Sequence, residues 1–599
     1  MRPLRIANCS GFLGDRLAAA REMVEGGPID FLTGDYLAEL TMLILWKARA
    51  RDPDAGYART FLRQMRDVLG IAVERGIRVV ANAGGLNPAA LAARLRELAA
   101  ELGVSVRVAH IEGDDLLPRL DELRERGVTL AHLETGRSLA EAGLEPITAN
   151  AYLGAWGIVR ALEAGADVVV CPRVTDASLV VGPAAWHFGW RPDDWDRLAG
   201  AVVAGHVIEC GPQATGGNYA FFREIPGLER PGFPIAEVAG DGSAVITKHP
   251  GTGGRVSIGT VTAQLLYEID EPRYRNPDVV ARFDTIRLEE VGPDRVRLSG
   301  VRGEPPPPDL KVCINALGGY RNSATIVLTG LEIEEKAALV VRSLEAALGG
   351  ADGFETFDVQ LVRSDREDAQ TNEEATARLR ISVRDRDATK VGRRFSGAIV
   401  ELALSSIPGF FGTAPPTSET PYGIYWPALV PRELVAETVV TDAGERLPVP
   451  APPAARREAA DAVGEAPRAA ATPPPEGPTR RAPLGALFGA RSGDKGGNAN
   501  LGVWARSDAA YTWLASWLTV ERLRALLPEA AALEVRRYEL PNLRALNFVV
   551  VGLLGEGVAA SLRFDPQAKG LGEYLRSRFA DLPEALLAEA EDQSSSPAR

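Results

Sequence analysis

Residues Ile77–Leu102, "IRVVANAGGLNPAALAARLRELAAEL", carry the repeating unit of this chain. A short β-branched run stops at an Asn/Gly loop. Asn87–Pro88 then gives a helix start, and a stretch of Ala, Leu, Arg and Glu follows with apolar residues at helical spacing. The same unit recurs from residue 1 to about 190. "LRIANC" leads through "SGFLGD" to a helix near 16–25, and "IDFLT" leads through "GDY" to "LAELTMLILWKA". "VSVRVAHIEGDD" precedes "LLPRLDELRERG". "NAYLGAWGIVRALEAG" reads as a helix, and "ADVVVCPRVTDAS" as a strand and loop. Short strands alternating with helices predict βαβ units and a parallel sheet. Near-continuous apolar strands such as "DVVVC" suit burial on both faces.

The expected fold is therefore α/β. A large body carries a mostly parallel, Rossmann-like sheet over 1–282. An α+β region over 283–446 completes it, with strand-like "DTIRLEEVGPDRVRLSGV", "ATIVLTGL" and "FDVQLVR". The Pro/Ala-rich stretch 447–481 cannot build a core and reads as a linker. Residues 482–591 read as a compact ferredoxin-like α+β domain. It opens with strand "PLGALFGA" and the glycine loop "RSGDKGGNANLG" at 491–502.

The net charge of −13 argues against a nucleic-acid or anionic-membrane partner. The four cysteines, Cys9, Cys171, Cys210 and Cys313, form no C-x-x-C pair, so no zinc knuckle or redox dithiol is indicated. A reducing, cytoplasmic setting fits that usage. The N-terminus lacks the apolar run of a signal peptide. No apolar run approaches the roughly 20 residues that span a bilayer. A large apolar α/β body is expected to form a homo-oligomer.

Ligands of open parallel sheets bind at the carboxyl ends of the strands, so the loops leaving those ends are the candidate site. "TGDYLAE" offers Asp35 and Glu39, four residues apart. They can act as acid and base, hold a cation, or simply favour a helix start. "CPRVTDAS" offers Arg173, Thr175 and Asp176, which can orient a carboxylate or pair with each other. "NAGGLNP", with Asn82, Gly84 and Gly85, and "KHPGTGG", with His249, Gly253 and Gly254, can supply backbone N–H groups and a proton carrier for an enolate, or be plain turns. "HIEGDD" offers His110, Glu112, Asp114 and Asp115, whose spacing matches no strong metal motif. Its aspartates read more naturally as caps. Cys210 lies beside Glu209, which works against a thiolate. The stretch 408–426, "PGFFGTAPPTSETPYGIYW", reads as a long lid or an interface. No Walker A or G-x-G-x-x-G pattern appears, so a dinucleotide is not supported.

Taken in order, "SGFLGDR", "DFLTGDYLAELTM", "NAGG", "PRVTDASLVVGP", "CGPQATGGN" and "KHPGTGGRVSIGTVTAQLLYEI" resemble the acyclic terpene utilisation protein A family over about 1–445. The unit with "ARSGDKGGNANLGVW" resembles the ferredoxin-fold domain that follows in that family. The resemblance implies catabolism of citronellol- and geraniol-type terpenes through branched acyl-CoA thioesters. It implies a pathway and carries over no catalytic residues.

The expected function is acid/base chemistry of the lyase, hydratase or isomerase type on an acyl-CoA or carboxylate substrate. No redox cofactor is expected, and coenzyme A enters only as part of the substrate. Asp35, Glu39, Asp176 and His249 are the candidate catalytic residues. Arg491 and Lys495, with Asp494 and Asn498 beside them, can clamp a phosphate or carboxylate, or form a surface ion pair at a turn. Two alternatives stay open. One is a non-catalytic binding or assembly subunit for another enzyme of the pathway. The other is a metal-dependent hydrolase using the His110 cluster.

Overall fold

A computed structural model describes residues 2–455 and 477–595. The side chains of Glu39 and of residues 593–595 lie outside that description, as do residues 456–476 of the expected linker. The chain divides into two compact units. The first comprises 1–315, 425–558 and 565–599; the second comprises 316–424 and 559–564.

The first unit is built on an eleven-stranded sheet. Its centre is the predicted parallel set, in the order Leu4–Asn8, Phe31–Gly34, Arg78–Ala81, Val168–Val170 and Val108–Glu112. The strands alternate strictly. Ala7, Leu32, Val79 and Val168 face one buried cluster under the helices Ala19–Glu25, Arg59–Glu74 and Pro88–Leu102. Ile6, Phe31, Val80 and Val169 face the other, with helices Ser178–Phe188 and Trp195–Ile208. Residues buried on both faces explain the continuous apolar runs. In the diagnostic unit, Asn87 caps its helix by accepting from Ala90 N at 3.3 Å, and Gly103 ends it at φ +67°.

The expectation of a mostly parallel sheet needs correction, because the sheet is mixed. Pro234–Val238, Ala244–Lys248, Arg295–Ser299 and Arg287–Gly292 extend it antiparallel on one side. Thr438–Val440 and Arg446–Pro448 do so on the other. The reason is loop length. Asp241–Ser243 makes a turn, with Gly242 at φ +87°, far too short for a parallel crossover. The hairpin at 287–299, expected with the second region, thus belongs to this sheet. "NAYLGAWGIVRALEAG" is also corrected. Its start ends the strand Pro146–Ala151, and the helix is only Trp156–Glu163. Gly154 separates them, with Asp278 accepting from Ala155 N at 2.9 Å.

The C-terminal domain carries a four-stranded antiparallel sheet in the order Phe488–Lys495, Asn498–Ala505, Ala545–Val550, Val535–Leu540. The expected glycine loop is a strand through Lys495. A two-residue turn, Gly496–Gly497, pairs Lys495 with Asn498. Alternation sorts the residues. Ala499, Leu501 and Val503 pack under helix Asp508–Trp517. Arg491, Gly493, Asn500 and Gly502 lie over residues 264–270. Asn500 Oδ1 accepts from Glu268 N at 2.8 Å. A Cβ on Gly493 would sit 2.5 Å from the Tyr267 ring, and one on Gly502 2.5 Å from Leu266 Cβ. The glycines are what lets one backbone lie flat on another.

The second unit is an antiparallel sheet in the order Thr356–Val362, Thr376–Asp385, Asp309–Thr329, Phe410–Gly412. Helices Ile333–Leu348 and Phe395–Glu401 bury Val340, Leu344 and Phe395 against Leu379 and Ile381. Half of the expected 408–426 lid is strand, Phe410–Gly412 and the start of Thr420–Pro431.

Gly502→Ala should lower stability by roughly 1–3 kcal/mol through overpacking against Leu266. Thermal unfolding of the full chain checks this. A Tm equal to that of the unsubstituted chain would show that the sheet is not seated on residue 266.

Candidate active site

Three strand ends place the first residues. Asp35 follows Phe31–Gly34, Asn82 follows Arg78–Ala81, and Arg173 follows Val168–Val170. Asn82 donates to Asp35 Oδ1 at 2.5 Å and accepts from Tyr36 N at 2.7 Å. Asp35 Oδ1 also accepts from Leu37 N at 3.1 Å. Arg173, only 4% exposed, donates to the Leu37 carbonyl at 2.8 Å and to Asp176 Oδ1 at 3.1 Å. Its guanidinium stacks 4.3 Å from the Tyr152 ring centre. The fourth strand end, Val108–Glu112, delivers Asp114, which accepts from Asn150 at 2.8 Å and from Arg173 N at 3.3 Å.

A second wall comes from later in the chain. Glu209 and Cys210 end the helix Trp195–Ile208, and Gln213 follows in a 3-10 turn. The C-terminal hairpin covers them. Arg491 donates to Gln213 Oε1 and stacks 4.3 Å over Tyr267. Lys495 donates to the Glu268 carbonyl at 2.9 Å. Lys569 contacts the Tyr267 hydroxyl, lies 3.2 Å from Glu268 Oε1, and is 3.7 Å from Asp494 Oδ1.

Enclosure shifts the acidity of several groups here. Burial, then the nearby Asp176, pushes Asp35 well above the usual carboxyl range, although Arg173 and Asn82 oppose this. Burial, then Asp176 and Glu268, does the same to Glu209. Burial lowers the Lys569 ammonium to about 8. His206, buried behind Glu209, is lowered to about 4 by burial and by Lys495. Burial and Glu209 hold the Cys210 thiol well above its ordinary value, so it is no ready nucleophile.

Of the residues singled out from sequence, Asp35, Asn82, Arg173 and Asp176 come together, while Arg491 and Lys495 lie over Gln213, Tyr267 and Glu268, and Asp494 lies 3.7 Å from Lys569. Arg491 and Lys495 spend hydrogen bonds on fastening the two domains, which revises the picture of a clamp on a loop. The helix after Asp35 begins only at Glu39, so the two do not share its first turns. His249 lies apart, donating from Nε2 to the Met23 carbonyl at 2.9 Å and packed on Gly26 and Gly27.

Three of the four glycine N–H groups are also spent. Gly84 donates to Cys171 O, Gly85 to Asn82 O, and Gly254 to Pro226 O. The Gly253 carbonyl accepts from Gly232 N. Thr175 shares a hydrogen bond with Ser178 at 2.6 Å, and Asn498 accepts from Gly552 N at 2.9 Å. In "HIEGDD", His110 pairs with Glu112 at 3.0 Å, and Asp115 accepts from Leu117 N at 3.0 Å just ahead of a 3-10 turn whose N-cap position, Leu116, makes no side-chain cap. Asp114 does not cap; it turns in to Asn150. Among the described residues no three His, Cys, Asp or Glu side chains form a set that could hold a metal ion.

Sequence reasoning missed Gln213, Glu268 and Lys569, and saw Glu209 only as a neighbour of Cys210. Glu268 does leave a trace. "QLLYEID" sets an acid at the end of an apolar run, as Asp35 and Arg173 are set.

These features define an α/β protein with an acid-rich sheet edge closed by its own ferredoxin-like domain. The chain belongs to the acyclic terpene utilisation family. The model of "Acyclic terpene utilisation family protein AtuA" matches residues 4–441, and that of the AtuA ferredoxin-like domain matches 482–579. No curated protein and no solved structure matches. No helix among the described residues is long and apolar enough to cross a membrane.

Burial raises Asp114 from 3.8 to about 7. A raised carboxyl favours the fold most while it is protonated in both states, and that contribution is lost as pH climbs from about 4 through about 7. Asp114→Asn keeps both hydrogen-bond acceptor roles and should flatten this loss. The Tm difference between variant and parent should shift by the equivalent of roughly 3–4 kcal/mol over that window. Parallel Tm–pH curves would refute the assignment.

Proposed function

We propose that the chain is an enzyme of acyclic terpene or related branched-acid catabolism, acting on a carboxylic acid or its acyl-CoA thioester by acid/base chemistry without a redox cofactor. The observation that carries the reading is Asp35 and Asp176 with Arg173 after the carboxyl ends of parallel strands, where such sheets hold ligands, with Glu209 near them from the end of helix Trp195–Ile208. Carboxyl groups held in different environments divide the work of acid and base. Asp35, buried and hydrogen-bonded to Asn82, is suited to donate a proton. Asp176, ion-paired to Arg173 with its side chain 30% exposed, is suited to accept one.

Arg173 orients a substrate carboxylate or thioester carbonyl. Lys495 and Lys569 add positive charge where an enolate would form. Coenzyme A is part of the substrate in this reading, and the family's name supplies the terpenoid class.

The test is turnover of geranyl-CoA, citronellyl-CoA and the free acids by the full chain, followed by mass spectrometry. Asp176→Asn should cut kcat by roughly 100-fold or more while leaving the far-UV spectrum close to the parent's, with a lower Tm because the buried Arg173 loses its ion pair. An Asp176→Asn protein as active as the parent would overturn the acid/base assignment.

A further inference from the structure

The backbone is strained at two points that meet in this site. Glu268 sits at φ +56°, and Ala568, the residue before Lys569, at φ +52°. That left-handed region disfavours any residue with a Cβ, and it persists only where the surroundings over-determine it. Both points are held from outside. Asn500 Oδ1 accepts from Glu268 N at 2.8 Å, and Lys495 donates to the Glu268 carbonyl at 2.9 Å. Asp565 Oδ1 accepts from Lys569 N at 2.8 Å, and Ser492 Oγ donates to the Lys569 carbonyl at 3.4 Å.

This backbone positions an amine beside a base. Lys569 Nζ contacts the Tyr267 hydroxyl and lies 3.2 Å from Glu268 Oε1, with Asp494 Oδ1 at 3.7 Å. A nucleophile and a base within hydrogen-bond reach, the base fixed by further groups, form an activated pair. The pair also faces solvent, with the side chains of Lys569 and Glu268 37% and 34% exposed. The residue type matters too. Only seven of the 67 Lys and Arg residues are lysine, so arginine is this chain's ordinary cation. Arginine would keep the ion pair with Glu268 but cannot give up its proton, whereas lysine can. Partial burial favours that loss and brings the ammonium down to about 8.

We propose that Lys569 forms an iminium with a ketone group of the substrate, with Glu268 as its base and the Tyr267 hydroxyl as proton relay. This deepens the reading above and rests on it: the substrate class becomes an oxo acid or its thioester. Glu268 takes a proton from the ammonium, and the free amine adds to the ketone carbon. The nitrogen passes a proton through the Tyr267 hydroxyl to the new alkoxide, leaving a carbinolamine. Glu268 returns its proton to that hydroxyl, the C–O bond breaks and water leaves. Ammonium and ketone have become iminium and water, so no oxidant or reductant enters. The iminium draws electrons from the neighbouring C–C bond, which is lyase chemistry.

The probe is 3-oxobutanoate with cyanoborohydride, which reduces an iminium to a stable secondary amine. The full chain is then digested and its lysines are mapped by mass spectrometry. The label should fall on Lys569 and on no other lysine. Lys569→Arg, which keeps the cation, should take none. Glu268→Gln should slow labelling by roughly 100-fold. An unlabelled Lys569 in the parent overturns the proposal, and that readout needs no variant to fold. A label spread evenly over the lysines overturns it as well. Labelling of Glu268→Gln at the parent's rate removes Glu268 from the step. A thermal shift with the same acid separates the two readings. If the acid raises Tm and leaves no adduct, the iminium falls while the acid-substrate reading stands. If it does neither, both fall.

Discussion

A guanidinium withdrawn from water must be neutralised locally, and Arg173 sets that demand at the centre of this protein. Burial alone would weaken its charge. Asp176, Tyr152 and Asp35 outweigh burial and hold it well above its ordinary value. The Leu37 carbonyl, Asp176 and the Tyr152 ring are fixed around it. That in turn fixes the strand-to-helix connection after residue 34, the loop after residue 170, and the start of the segment beyond Ala151. Burial and the nearby Asp176 push Asp35 above the usual carboxyl range, while Arg173 and Asn82 oppose this. An arrangement of this kind gains little net stability from its ion pairs. What it gains is a set of acids in unlike environments.

The C-terminal domain completes this arrangement. Its sheet offers one apolar face to its own helices and one face of Gly, Asn, Arg and Lys to residues 264–270 and Gln213. The polar face replaces solvent with fixed donors, and Lys569 joins from the loop before helix Leu571–Ser577. The sheet therefore acts as ordered solvent for the carboxyl cluster, and the low dielectric strengthens each contact beneath it.

The parallel core was legible because β-branched runs, Asn/Gly loops and amphipathic helices repeat locally, as at 77–102. Asp35, Arg173 and Asp176 were legible for the same reason: strand ends are visible in sequence. The antiparallel flanks were not, because periodicity marks a strand without its direction, and the return of 438–448 to the sheet edge leaves no local signal. The run "RSGDKGG" misled because glycine in a strand looks like a loop until the opposing backbone at 266–268 is known. His249 stands out in sequence inside a glycine turn, and only the tertiary structure sets it apart from the cluster, bonded to the Met23 carbonyl. Lys569 meets Tyr267 and Glu268 across 302 and 301 positions, so nothing local marks it.

Those separations bear on how the protein is made. Arg491 meets Gln213 across 278 positions and Lys495 meets Glu268 across 227. During vectorial synthesis the α/β body emerges first, with Gln213 and Glu268 in place before the hairpin that meets them exists. Those contacts are made only when the last hundred or so residues leave the ribosome and dock.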